Sequence, residues 1–227
     1  MKIIKKLLIK FFRIFNLEIK KKNKEPWLND INFLTIRNII KNKILVSDDR
    51  LFILYQLIKQ VCSLDGGVVE CGVYKGGTAK LLGDMFNKFA PSKKLYFLDT
   101  FSGMPETDKL RDFHKKGDFG DVEYLEVKEF LKNNINIFIY KGFFSDNFSS
   151  IIENKFCFIH IDCDIYNSVR ECCEFFYSKM VVGGIMIFDD YGFESCPGAK
   201  LAVDEFFIDK KERVILLPTK QAVVIKI

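Results

Sequence analysis

Histidine and tryptophan are almost missing from this 227-residue chain, with two copies and one, and proline occurs only five times. The two histidines, His114 and His160, are not spaced to complete a zinc site, and no C-x-x-C pair exists to start one. No uncharged apolar run approaches the ~20 residues that span a bilayer. No internal period recurs, which excludes collagen, coiled-coil rods and tandem repeats. The dinucleotide fingerprint G-x-G-x-x-G is also absent.

What is present is material for a core. Hydrophobic residues make up 48% of the chain, including 24 Phe, so extensive disorder is excluded. The seven cysteines are odd in number and mostly sit in apolar runs, as expected of buried thiols in a reducing, cytoplasmic setting. Charge is uneven. Residues 1–24 carry nine Lys or Arg against Glu18, a net +8, whereas the whole chain is +5, leaving residues 25–227 slightly acidic. That balance argues against nucleic acid as a partner of the main domain.

Within residues 1–24, Ile3, Ile4, Leu7, Leu8, Phe11, Phe12, Ile14 and Phe15 recur at helical spacing between basic residues. This basic amphipathic helix and its Lys-rich linker fit an anionic membrane surface, here the inner face of the membrane. They fit equally a packing role against the chain's own domain or a second subunit in a homodimer. Lys10 and Arg13 interrupt the apolar stretch, against a secretory signal.

Residues 25–227 then form one domain. Strands are expected over 68–72, 95–99, 135–140, 156–162 and 184–190. Helices are expected over 47–61, 76–89, 122–133, 146–153, 168–179 and 199–209. Two short strands, 214–217 and 222–227, close the chain as an antiparallel pair. The alternation predicts an α/β fold with a doubly wound, mostly parallel sheet. Ligands of such sheets lie beyond the carboxyl ends of the strands. Four of those ends carry acid, which suits a cationic cofactor, a divalent metal, or both.

The first strand runs into Glu70-Cys71-Gly72-Val73-Tyr74-Lys75-Gly76-Gly77-Thr78, a glycine turn opening a helix and a candidate cradle for a nucleoside cofactor. Asp99 ends the second strand, placed to accept hydrogen bonds from ribose hydroxyls, with Thr100 and Ser102 just after it. Asp162, Asp189 and Asp190 end adjacent strands and form a candidate oxygen site for Mg²⁺ or Ca²⁺. His114 lies in the long loop 100–121 as a candidate base or substrate contact. His160, inside a strand, reads as a core side chain.

Taken together, Glu70-x-Gly72-x3-Gly76-Gly77, Leu98-Asp99-Thr100-Phe101-x-Gly103, Gly117-Asp118-Phe119, Lys141-Gly142-x-Phe144, His160-Ile161-Asp162-x-Asp164-x-Tyr166, Gly183-Gly184-x4-Asp189-Asp190-Tyr191 and Ala202-Val203-Asp204-Glu205-Phe206 resemble the macrocin O-methyltransferase family. The resemblance covers about residues 48–227 and not the basic segment. It implies a class I methyltransferase sheet of seven strands with a final antiparallel strand. It implies S-adenosylmethionine held by Glu70, Gly72 and Asp99, and Mg²⁺ held by Asp162, Asp189 and Asp190. The implied acceptor is a sugar hydroxyl of a small molecule, a glycan or a glycan precursor. Asp162 is the expected base and His114 the second choice. Catechol-type relatives place a Lys three residues after the first metal Asp; here Ile165 stands there.

Two rival classes have less support. A nicotinamide-dependent sugar dehydrogenase or epimerase would want the missing glycine fingerprint, and the Tyr-x3-Lys at Tyr55 to Lys59 precedes the first strand. A non-catalytic membrane-associated binding module gives no reason for acids at matched strand ends.

Overall fold

Apolar residues of the central strands fill consecutive positions rather than alternate ones, and the reason is burial on both faces. β1 (Gly67–Cys71) and β4 (Phe156–Ile161) have no exposed residue. In the computed structural model, which describes residues 25–151, 153 and 155–227, these two strands form the middle of a seven-stranded sheet. The others are β2 (Leu95–Asp99), β3 (Ile137–Lys141), β5 (Met180–Phe188), β6 (Ile215–Leu216) and β7 (Ala222–Ile225). The order is β3-β2-β1-β4-β5-β7-β6. The first five are parallel, while β7 runs antiparallel to both β5 and β6. The expected antiparallel closing pair is therefore present. The basic segment of residues 1–24 lies outside the described residues.

Side-chain alternation along each strand divides the core in two. Val68, Phe97, Phe158 and Ile187 point to one face, where α1 (Ile31–Ile40), α2 (Asp48–Val61), α3 (Gly77–Phe89) and α4 (Tyr124–Leu131) contribute Phe33, Leu54, Phe86 and Val127. Val69, Tyr96, Ile159 and Met186 point to the other, against Phe144 of α5 (Phe144–Phe148), Cys172 and Phe176 of α6 (Tyr166–Phe176), and Val203 and Phe207 of α7 (Pro197–Phe207). Burying a Phe or Leu here stabilises the fold by about 1.5–3 kcal/mol each, so the buried Phe residues supply much of the driving force.

The structure departs from the sequence expectation in three places. Helix α1 was not anticipated; its start is capped by Asp30, whose carboxylate accepts the Phe33 amide at 3.0 Å. β5 begins at Met180 rather than at Gly184. Gly183, at φ +80°, carries an irregularity there: Phe156 pairs with Met180, but Phe158 already pairs with Ile185. α5 spans 144–148 rather than 146–153. All seven cysteines are free and none is fully exposed, as expected of buried thiols.

The winding direction reverses between β1 and β4. The crevice at that switch point opens at the carboxyl ends of the strands.

Candidate active site

A cavity of about 600 Å³ occupies this crevice, within the usual size of small-molecule sites. Its floor is the turn after β1. The Gly72 amide donates to Leu98 O at 2.9 Å and the Asp162 amide to Cys71 O at 2.9 Å, so three strand ends are stitched together. Gly72 sits at φ +92°, and a Cβ on it would come within 1.7 Å of Asp162 O. Only glycine allows the two backbones to meet this closely.

Asp99 holds the turn in place. Its Oδ2 accepts the amides of Val73 at 2.7 Å and Tyr74 at 2.8 Å, and its Oδ1 accepts the Phe101 amide at 2.7 Å. The expected ribose acceptor is thus first a backbone organiser, though it still lines the cavity.

On the far side stand the acids. One carboxylate oxygen from each of Asp162, Asp189 and Asp190 lies within 4.8 Å of the other two. Burial, then the neighbouring charge of Asp189, pushes Asp162 well above the usual carboxylate range. Burial, then Asp164 and Asp162, does the same to Asp190. Asp189 behaves oppositely. Burial would raise it, but His160, Arg50 and Gln221 outweigh burial and hold it low. Arg50 is ion-paired with its Oδ2, and Gln221 donates to its Oδ1 at 2.6 Å.

His160 is more than core filling. Fully buried, its Nδ1 lies 2.9 Å from Glu70 Oε1 and its Nε2 lies 3.7 Å from Asp189 Oδ1. Burial would lower its pKa, but Asp189 and Glu70 raise it well above the ordinary value. The ring joins the glycine turn to the acid group.

The loop 100–121 is folded back on itself. Met104 and Gly117–Asp118 exchange backbone bonds of 2.8 and 3.0 Å, and Asp112 accepts the Tyr166 amide at 2.9 Å, capping α6. This brings His114 to the cavity wall beside Asp164 and Cys196.

Of the residues expected from the sequence, Gly72, Gly77, Asp99, Thr100, His114, Asp162 and Asp190 line the cavity. Glu70, Cys71, Gly76, Ser102 and Asp189 stand outside that lining. Glu70, expected to contact the cofactor, is fully buried, with its Oε1 2.9 Å from His160 Nδ1. Arg50, Asp164 and Cys196 were missed as candidates. Asp164 lies within the quoted motif, whereas nothing local in the sequence marks Arg50 or Cys196.

The fold is shared with solved methyltransferases. The O-methyltransferase NovP superimposes with a TM-score of 0.73 at 24% identity, covering 81% of this chain and 82% of that one. The calicheamicin methyltransferase CalS11 gives 0.66 at 15% identity, covering 89% and 94%. An O-methyltransferase from Bacillus cereus in complex with SAH gives 0.57 at 15% identity, covering 97% of each. The architecture is therefore the Rossmann-like α/β fold of class I O-methyltransferases. Within that class, residues 41–220 match Macrocin-O-methyltransferase (TylF), and the chain belongs to this family. The demethyldecarbamoylnovobiocin O-methyltransferase of Streptomyces niveus is 26% identical over 156 residues, 63% of this chain and 59% of that protein. A rhamnosyl-tetracenomycin-C 4'-O-methyltransferase of Streptomyces olivaceus is 23% identical over 146 residues, 59% of this chain and 56% of that protein. The match thus spans less than three-fifths of each curated relative.

Proposed function

We propose that this protein transfers the methyl group of S-adenosylmethionine to a hydroxyl of a sugar, in a glycosylated small molecule, a glycan or a glycan precursor, with a divalent ion such as Mg²⁺ at Asp162, Asp189 and Asp190. The observation that carries the reading is the convergence of those three carboxylates beside the Gly72 turn, with Asp162 and Asp190 lining the cavity and Asp189 just behind them. Carboxylates outnumber cations in its lining, which favours a positively charged sulfonium cofactor.

The donor set fits a hard cation, because all three ligand atoms are carboxylate oxygens. Asp162 and Asp190 present oxygens to the cavity, while Asp189 is shared with Arg50 and Gln221. A divalent ion bound there would lower the pKa of a hydroxyl it touches. The Gly72 turn would leave room for the cofactor's amino-acid portion, and Asp99 would keep that turn shaped. The acceptor oxygen would form its bond to the methyl carbon as the methyl–sulfur bond breaks. Its proton would pass to Asp162, or to His114, which reaches the same space from its loop. Positioning of this kind supplies several kcal/mol of rate enhancement, on the order of 7–11 in the best cases.

The relatives named above act on novobiocin- and tetracenomycin-type glycosides, and a solved neighbour is named as a TDP-rhamnose 3'-O-methyltransferase. They support a sugar acceptor and leave open which sugar. No helix among the described residues is long and apolar enough to cross a membrane. Peripheral contact of residues 1–24 with an anionic cytoplasmic membrane face, and a homodimer, belong to the same proposal.

Calorimetric titration with S-adenosylmethionine, S-adenosylhomocysteine and NAD, each with and without Mg²⁺, tests the class. Micromolar binding of the first two alone is expected. Binding of NAD alone would overturn the reading in favour of redox chemistry.

A further inference from the structure

The two histidines gave no zinc pattern in the sequence, but the fold assembles one. His114 comes from the loop after β2, Asp164 from the segment after β4, and Cys196 from the start of α7. His114 Nε2 lies 3.7 Å from Asp164 Oδ1 and 3.7 Å from Cys196 Sγ, and Cys196 Sγ lies 3.4 Å from Asp164 Oδ1. A tetrahedral ion with bonds of about 2.0–2.3 Å to N, O and S has ligand–ligand edges of roughly 3.3–3.6 Å. The three observed edges match that triangle within a few tenths of an ångström.

A second observation concerns the other ring nitrogen. His114 Nδ1 lies 3.2 Å from Asp118 Oδ2, which also accepts the Lys115 amide at 3.0 Å. A carboxylate on Nδ1 keeps the proton there and leaves the Nε2 lone pair directed at Asp164 and Cys196. This carboxylate–histidine arrangement is the usual support of a metal-bound imidazole. All three ligand residues border the cavity, so a fourth position is open to water or substrate.

We propose that His114, Asp164 and Cys196 form a binding site for a borderline-soft divalent ion of the zinc type, distinct from the all-oxygen group of Asp162, Asp189 and Asp190. The two groups share no residue and differ in chemistry: mixed N, O and S donors select zinc-like ions, whereas three carboxylates select Mg²⁺. On binding, the Cys196 thiol loses its proton to water, the sulfur–metal bond forms, and no electron moves. An ion there ties up His114 and Asp164 at the cavity wall, so micromolar Zn²⁺ blocks whatever reaction the cavity hosts. The site itself does not depend on that reaction being methyl transfer.

The test is a titration of the full-length protein with Co²⁺, followed by the thiolate-to-cobalt charge-transfer absorption. One thiolate-ligated ion per chain is expected, displaced by Zn²⁺. The band is lost in Cys196→Ser, and Co²⁺ affinity falls at least tenfold in His114→Gln. It persists in Cys163→Ser and in Asp189→Asn. Absence of the band, its loss in Cys163→Ser instead of Cys196→Ser, or unchanged affinity in His114→Gln each overturns the proposal. The His114 variant changes a loop side chain outside the core, so the test stands even if Cys196→Ser folds poorly.

Discussion

Arg50, on the helix before the sheet, is ion-paired with Asp189 at the end of β5, 139 residues further along the chain. The carboxylate has no exposed surface and the guanidinium side chain is 13% exposed, with its charge 4.8 Å from the Phe193 ring centroid. One cation of the protein's own therefore already balances the most buried acid of the site. α2 is thereby tied to the chemistry as well as to the core.

Replacing Arg50 by Met leaves Asp189 buried beside Asp162 and Asp190, with Gln221 and His160 as its remaining favourable partners among the described residues. Breaking a buried pair in this way costs about 3 kcal/mol, or roughly 6–12 °C in Tm for a chain of this size. Thermal unfolding with and without Mg²⁺ checks this. If a divalent ion binds the carboxylate group, Mg²⁺ restores part of the loss.

Gly72→Ala meets both a left-handed backbone and a Cβ position 1.7 Å from Asp162 O, whereas Gly117→Ala at φ +88° meets nothing within 4 Å. The second should cost about 1 kcal/mol or slightly more from strain alone. The first should cost several times that and abolish S-adenosylmethionine binding. Urea denaturation and calorimetry on the pair separate steric contact from strain. Equal costs would show that the turn has room to move.

Asp190→Ala removes an oxygen facing the cavity and leaves the Gly72 turn untouched. Turnover should fall about a thousandfold or more, consistent with several kcal/mol of lost charge stabilisation. Binding of S-adenosylhomocysteine should stay within a few-fold of wild type. Near-native turnover of this variant in the presence of a chelator would sink the metal reading.

Far from the site, Glu212 accepts from Lys226 at 2.9 Å and from the Tyr177 hydroxyl at 2.5 Å, with a side chain only 2% exposed. Burial would raise its pKa, but these partners lower it to about 2. A carboxylate depressed in the folded state stabilises above its unfolded value of about 4.5 and loses that contribution as pH falls toward 2. The expected contribution at neutral pH is on the order of 3 kcal/mol. Glu212→Gln should flatten the stability–pH curve between about pH 4.5 and 2 relative to wild type, which denaturation at a series of pH values will measure.

Much of this was legible in the chain. Leu95–Asp99 was bounded correctly because an all-apolar run between Lys94 and a polar loop has one reading. Asp162, Asp189 and Asp190 stand together because adjacent parallel strands in register bring their carboxyl ends together, which the strand pattern already implied. Three features were not legible. Arg50 carries no local mark of burial, since its partner is a hundred and more residues away. The Asp99 side chain turned inward to the Val73 and Tyr74 amides, a choice made by the turn geometry. Cys196 and His114 meet where Asp112 ties the loop to the start of α6, a contact between distant segments.

The sequence alone determined the strand–helix alternation, the acids at the strand ends and the glycine at the crowded turn. Each of these is a local matter of side-chain period, charge or backbone freedom. Tertiary structure alone decided which acids are neutralised by the protein's own cations, which side chains reach the cavity, and which soft donors stand together. Those outcomes depend on distances between segments far apart in the chain, and such distances exist only once the sheet has closed its crossovers.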